Sequence, residues 1–177
     1  MEKIPTMYPR DESIKGHPVI PPVKPECAWV EAGEGLATEK LDGMNVKVER
    51  GQLFKRQKPK DRDYDNASYV PCDRSNPADK WLYAAFARTT YDDGIYEAVG
   101  PKIQGNPHRV IEPGLVKVLP VALSLVIENI TRTYEGVRHY LAEHDKEGIV
   151  FHHPDGRLAK IKRRDFGLPW PIPQGTA

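Results

Sequence analysis

At 177 residues with a formal net charge of +1, the chain is long enough for one domain with a short appendage, and its charge neither demands nor excludes a polyanionic partner. Hydrophobic residues at 39% supply a core, while 29% charged residues imply a wet, grooved surface. The opening MEKIPTMYPRDES lacks the apolar run of a signal peptide and no stretch is long enough to span a bilayer. The expectation is a soluble cytoplasmic protein, monomeric by default.

Six prolines between Pro5 and Pro25 argue against a helix or central strand. Residues 1–26 are read as an extended arm, 27–166 as the main domain and 167–177 as a Pro-rich tail. Short runs bounded by glycine then predict strands over Cys27–Glu31, Leu36–Lys40, Met44–Arg50 and Gln52–Arg56, with Gly51 at a tight hairpin. Residues 57–76 are polar throughout and predict a loop. Asn76 and Pro77 suit the N-cap and first position of a helix in which Trp81, Leu82, Ala85 and Phe86 repeat at helical spacing. Strands are predicted at Ile95–Val99, Leu115–Leu119 and Val121–Glu128, and Thr133 caps a helix carrying Val137, Tyr140 and Leu141 on one face. A last strand pair, Gly148–His152 and Leu158–Arg163, turns at Pro154-Asp155-Gly156. The sum is an α+β domain dominated by antiparallel strands with peripheral helices.

Cys27 and Cys72 have no metal-ligand spacing and read as reduced thiols, and the six histidines form no HExxH pattern, so a structural zinc is not expected. Positive charge clusters twice, in Lys55–Arg62 and in Lys160–Arg164. Lys160 and Lys162 alternate with Ala159 and Ile161, which puts both ammonium groups on one sheet face where they repel unless acids or a phosphate answer them. Glu97 interrupts the apolar Tyr96–Val99 strand, and Glu147 stands at the mouth of Gly148–Phe151. Lys40-Leu41-Asp42-Gly43 alone reads as no more than a strand ending in a solvated turn.

Taken in order, Lys40–Gly43, Arg56, Glu97, Glu147–Val150 and Lys160–Lys162 resemble the motifs of the covalent nucleotidyltransferases, which comprise ATP-dependent DNA ligases, RNA ligases and mRNA-capping enzymes. Lys40–Asn45 and Val99–Pro107 are most similar to RNA ligases, and the short chain resembles the minimal single-domain ones. A short Pro-rich tail follows Lys162, and the expectation is therefore of no C-terminal OB domain. The resemblance implies an antiparallel-strand-rich nucleotidyltransferase (ATP-grasp-like ligase adenylation) fold. It also implies an ATP-dependent RNA ligase that joins 5′-phosphate and 3′-hydroxyl ends in RNA repair.

In that reading Lys40 is the nucleophile and becomes lysyl-AMP. A free lysine has a pKa of about 10.4, and neighbouring cations and burial both disfavour its protonated form. Lys160 and Lys162 would supply those cations and neutralise the α-phosphate in the transition state. Glu147 would hold Mg²⁺ (or Mn²⁺), with Glu97 and Asp42 as further metal candidates. The resemblance assigns nucleotide contacts to Glu39, Asn45, Arg56, Glu97 and Glu147 as well as the three lysines, with Asn45 also a candidate for the sealing step. Lys55, Lys58, Lys60 and Arg62 are the RNA-binding candidates. Tyr64, Tyr69 and Trp81 could stack on bases, although helical spacing favours a core role for Trp81. Two other readings are carried: a DNA ligase or capping guanylyltransferase, the nucleotide choice separated by labelling with ATP or GTP and RNA from DNA by joining assays on nicked and single-stranded substrates, and a catalytically inactive RNA-binding module, against which the intact Lys40, Glu147, Lys160 and Lys162 argue.

Overall fold

A computed structural model describes residues 3–57 and 68–173. The chain divides into two compact units, one made of Ile4–Leu41 with Ser124–Ala177, the other of Asp42–Leu123 with the first three residues. The architecture is α+β, with antiparallel sheets and few helices.

The first unit is built on a three-stranded antiparallel sheet of β1 (Leu36–Lys40), β7 (Gly148–His152) and β8 (Leu158–Lys162), in the order β1-β7-β8. Period-two alternation decides its two faces. Ala37, Ile149, Phe151, Ala159 and Ile161 are at most 1% exposed and pack with Val137 and Leu141 of α3 (Tyr134–Glu143). Thr133 caps α3 by accepting a hydrogen bond from the Gly136 N–H, as its sequence position predicts. Each large aliphatic or aromatic side chain buried here stabilises the unit by about 1.5–3 kcal/mol.

The proline-rich segment 4–26 contributes to this core: Met7, Tyr8 and Val19 are at most 1% exposed. It meets the free edge of β8, where the Met7 N–H donates to the Lys160 carbonyl and the Lys160 N–H donates to the Pro5 carbonyl. Tyr8 then donates its hydroxyl to Glu31 at 2.8 Å.

Residues 27–31 are helical rather than a strand. Pro25 opens a 3₁₀ turn, Pro25–Cys27, that runs into α1 (Ala28–Glu31). The proline supplies the φ of a first helical residue, and the turn lets Cys27, Trp29 and Val30 all bury. The strand expected over Val121–Glu128 is also absent. The chain passes between units at Leu123–Ser124, and a 3₁₀ turn, Leu123–Leu125, takes the place of a continuous strand. One bridge, Thr38 to Val126, remains.

The second unit carries a five-stranded antiparallel sheet in the order β4-β3-β2-β5-β6: β2 (Met44–Glu49), β3 (Gln52–Gln57), β4 (Ser68–Pro71), β5 (Gly94–Val99) and β6 (Gly114–Leu119). β2 and β3 form a hairpin in which Arg50 and Gly51 both take positive φ, the geometry of a tight two-residue turn. β4 lies inside the stretch expected to be a loop. It is four residues long, pairs among the described residues only with β3 and ends in Pro71, which an edge strand tolerates. Val46, Val48, Leu53, Tyr96, Ala98 and Leu115 form the core under this sheet with Leu82 and Ala85 of α2 (Lys80–Phe86). A 3₁₀ turn, Pro77–Asp79, precedes α2, and Asn76 caps it by accepting from the Ala78 N–H. No helix among the described residues is long and apolar enough to cross a membrane.

Candidate active site

Directly opposed residues of an antiparallel pair share a face, so the register of β1, β7 and β8 fixes what stands together. Lys40 faces Gly148, which faces Lys162; Thr38 faces Val150, which faces Lys160. The three lysines therefore lie on the face opposite the core, in rows about 7 Å apart along the strands. Gly148 has no room for a side chain: a Cβ there would lie 2.3 Å from the Ile161 carbonyl oxygen. The bare backbone between Lys40 and Lys162 is filled instead by Glu147, one residue before the strand.

The Glu147 side chain is 7% exposed. Its Oε2 accepts from Lys40 Nζ at 2.5 Å, and its Oε1 stands 3.6 Å from Lys162 Nζ. Lys40 also donates to the Leu41 carbonyl at 3.1 Å. Burial pushes the Lys160 amine down to about 8, and the charges of Lys162 and Lys40 push the same way. The other nearby carboxylate, Asp165, is already engaged by Arg10 and by the Lys162 backbone N–H. Three amines thus share essentially one buried acid, and an anion would complete the arrangement.

The second unit gathers a different set. Asn45 stands directly opposite Glu97, and Arg56 directly opposite Tyr69. Because Val46 and Lys55 are partners on the core face, Asn45 and Arg56 share the other face. Tyr69 donates its hydroxyl to Asn45 Oδ1 at 2.5 Å, and Asn45 Nδ2 donates to Glu97 Oε2 at 3.3 Å. Glu97 Oε1 accepts the Gly43 N–H at 3.2 Å. Burial raises the Tyr69 phenol. Gly43 is required by close approach, since a Cβ would lie 2.2 Å from the Ala98 carbonyl oxygen. The neighbouring Asp42 N–H donates to His108 Nε2 at 2.8 Å, which requires that nitrogen to be unprotonated.

Residues 70–176, more than half of the chain, match the RNA ligase 1 family. The chain belongs to that family. It is 29% identical to RNA ligase 1 of Pongo abelii over 184 aligned positions, which cover 84% of this chain and 50% of that protein. It therefore spans about half the length of that curated relative. The family match takes in Glu97, Glu147, Lys160 and Lys162; Lys40, Asn45 and Arg56 lie before its start.

In this RNA ligase 1 family member, two expected site residues stand apart from the groups described above. Glu39 points to the opposite face of β1 from Lys40, by alternation, and is ion-paired with Lys146. Lys55 points to the core face of the five-stranded sheet and pairs with Asp79 at 2.6 and 2.8 Å, its partner only 1% exposed. Lys58, Lys60, Arg62 and Tyr64 lie outside the described residues. The basic run Lys160–Arg164 also divides: Arg163 is 4% exposed and donates to the carbonyls of Leu141, His144 and Pro169, a structural anchor. Glu97 and Asp42 belong to the second unit and Glu147 to the first. Among the described residues no three His, Cys, Asp or Glu side chains form a metal-binding group.

Sequence reasoning passed over His108 and Tyr69 as partners of the Asp42–Asn45 segment. Tyr69 is the strand partner of Arg56, which pairing register alone would have disclosed. His108 carried no sequence signal.

Proposed function

We propose that the chain is an ATP-dependent RNA ligase that works through a lysyl-AMP intermediate on Lys40. One observation carries the reading: Lys40, Lys160 and Lys162 stand on a single sheet face around the buried Glu147 carboxylate, an excess of cations that suits a phosphate. Membership in the RNA ligase 1 family supports it.

In the first step the Lys40 amine forms a bond to the α-phosphorus of ATP and the bond to pyrophosphate breaks. The proton leaves Nζ toward Glu147 Oε2, its present hydrogen-bond partner. Lys160 and Lys162 stabilise charge on the phosphate oxygens as it builds, an effect worth most where water is excluded. The AMP then passes to the 5′-phosphate of an RNA end, and a 3′-hydroxyl displaces it to form the phosphodiester. Arg56 and Glu97 remain the proposed phosphate and ribose contacts, and Asn45 the proposed participant in sealing.

Mg²⁺ prefers phosphate oxygens with one or two carboxylates to an all-protein cage. The residues present fit that mode, with Glu147 as the carboxylate among the lysines, and the ion would supply charge neutralisation at the nucleotide phosphates.

The test is an intact-mass spectrum after incubation with ATP and Mg²⁺. The protein should gain one AMP, mapped to Lys40, and Lys40→Ala should gain none while keeping its circular dichroism spectrum. Labelling of Lys40→Ala, or a wild-type adduct on another residue, overturns the assignment.

A further inference from the structure

Residues 4–20 bear on the lysine face although they lie far in sequence from the strands that form it. The segment folds back on itself: Arg10 and Val19 form an antiparallel bridge, the Asp11 N–H donates to the Pro18 carbonyl and the Ile20 N–H to the Pro9 carbonyl. Its outgoing edge pairs with Lys160 through Pro5 and Met7, and its returning edge donates the Val19 N–H to the Asp165 carbonyl at 2.7 Å. Met7, Tyr8 and Val19 are at most 1% exposed, so apolar burial anchors the segment.

One charge of this segment is directed at the site's surroundings. Arg10 pairs with Asp165, whose side chain is 4% exposed, and its other terminal nitrogen donates to the His17 carbonyl at 2.9 Å. The second oxygen of Asp165 accepts the Lys162 N–H at 2.9 Å. Both carboxylate oxygens are thus occupied, one by a cation and one by the backbone of a site lysine. The charge of Asp165 also reaches the Lys160 amine, as does that of Glu147. Among the described residues the Lys160 amine has no hydrogen-bond or ion-pair partner of its own. Without Arg10 the buried carboxylate would stand near these amines with its charge unanswered, and opposite charges away from water attract strongly.

We propose that Arg10 is a positioning residue for the lysine site: by engaging Asp165 it keeps that carboxylate from neutralising Lys160 and Lys162, and leaves both amines to the phosphates of a nucleotide. Arg10 acts through Asp165 and not on the reacting atoms. The same contact steadies the carboxylate that holds the Lys162 backbone. That the anion is ATP rests on the ligase reading above.

Binding of α,β-methylene-ATP, whose bridging carbon cannot leave with pyrophosphate, is measured by calorimetry for the wild type, Arg10→Gln, Asp165→Asn and the double variant Arg10→Gln/Asp165→Asn. AMP gain on Lys40 is followed in parallel against ATP concentration. Arg10→Gln should bind the analogue on the order of tenfold more weakly, because Asp165 then competes for the lysines. The double variant removes one positive and one negative charge and keeps an amide oxygen for the Lys162 N–H. It should return to the wild-type affinity. In the adduct assay the Arg10→Gln defect should be a raised KM for ATP that saturating nucleotide overcomes. Unchanged affinity in Arg10→Gln overturns the proposal, as does an equal loss in the double variant or a defect that saturating ATP does not repair. Should Arg10→Gln not fold, Asp165→Asn decides: with Arg10 unopposed it should bind the analogue more tightly, and equal or weaker binding overturns the proposal. A wild type that forms no adduct, with affinities in the expected order, refutes the ligase reading and upholds the role of Arg10. A wild type that does not bind the analogue overturns both.

Discussion

The two units treat charge in opposite ways. On the three-stranded sheet Lys40, Lys160 and Lys162 surround one engaged carboxylate, and burial depresses one of the amines. On the five-stranded sheet the Tyr69, Asn45, Glu97 and Gly43 groups form a chain of hydrogen bonds in which each donor has an acceptor. The first arrangement works against its own folding stability and gains from an anionic ligand. In the second, these donors and acceptors already answer one another within the unit. Unanswered charge of the first kind is common at functional sites, and a satisfied network of the second kind makes its surroundings rigid.

Substitutions can break this contrast, beginning with the largest effect. Lys160→Met should lower the yield of Lys40-AMP by on the order of a hundredfold or more, because a preorganised cation at the phosphate is lost. The same variant should melt no lower than the wild type at pH 7, since it removes a buried charge. Intact-mass and thermal-melt measurements on one preparation check both. A melt several degrees lower would show the amine to be a net stabiliser.

The engaged pair beneath the five-stranded sheet predicts the reverse. Among the described residues, Lys55→Ala leaves Asp79, 1% exposed, with the Asp73 N–H as its remaining side-chain partner. Stability should fall by about 3 kcal/mol, since stranding a buried charge costs that much. RNA affinity, measured at constant salt, should stay level; a selective loss of RNA binding with normal stability would return Lys55 to the binding surface.

Linkage sharpens the comparison further. The Lys160 amine titrates near 8 in the folded chain and near 10.4 when unfolded, so the unfolded state binds the proton more tightly. Its contribution opposes folding below pH 8, and that opposition is relieved as pH rises from 8 toward 10. Denaturant melts of wild type and Lys160→Met should converge over this window. Parallel curves would show that burial does not depress the amine.

The smallest effect belongs to the completed network. Tyr69→Phe removes one hydrogen bond to Asn45 and should cost about 1 kcal/mol, with adduct formation preserved. Abolished labelling would move Tyr69 into the chemistry.

Part of the candidate site's layout was readable before any fold was known, and particular residues show why. Alternation around Ala159 and Ile161 required Lys160 and Lys162 to share a face, and both apolar residues are 0% exposed. The same rule separates Glu39 from Lys40, a consequence visible in the sequence once Leu36–Lys40 is taken as a strand. The helix caps at Asn76 and Thr133 are local hydrogen bonds, so short-range sequence sufficed for them.

What composition misjudged depended on distant partners. Residues 27–31 are apolar enough for a strand, and Pro25 with the surrounding core turned them into a helix. The basic character of Lys55 and Arg163 suggested a polyanion, yet each is engaged by groups far along the chain, at Asp79 and at the carbonyls of Leu141, His144 and Pro169.

The sequence by itself determined the strand periodicity, the caps and the shared face of Lys160 and Lys162, because these follow from backbone geometry within a few residues, whereas Lys40 joins that face only through the sheet register. Only the tertiary structure decided which charges remain available to a ligand, and that His108 and Tyr69 hold the Asp42–Asn45 segment. Whether a charge is neutralised or a polar group is satisfied depends on partners tens of residues away, and no local pattern encodes those.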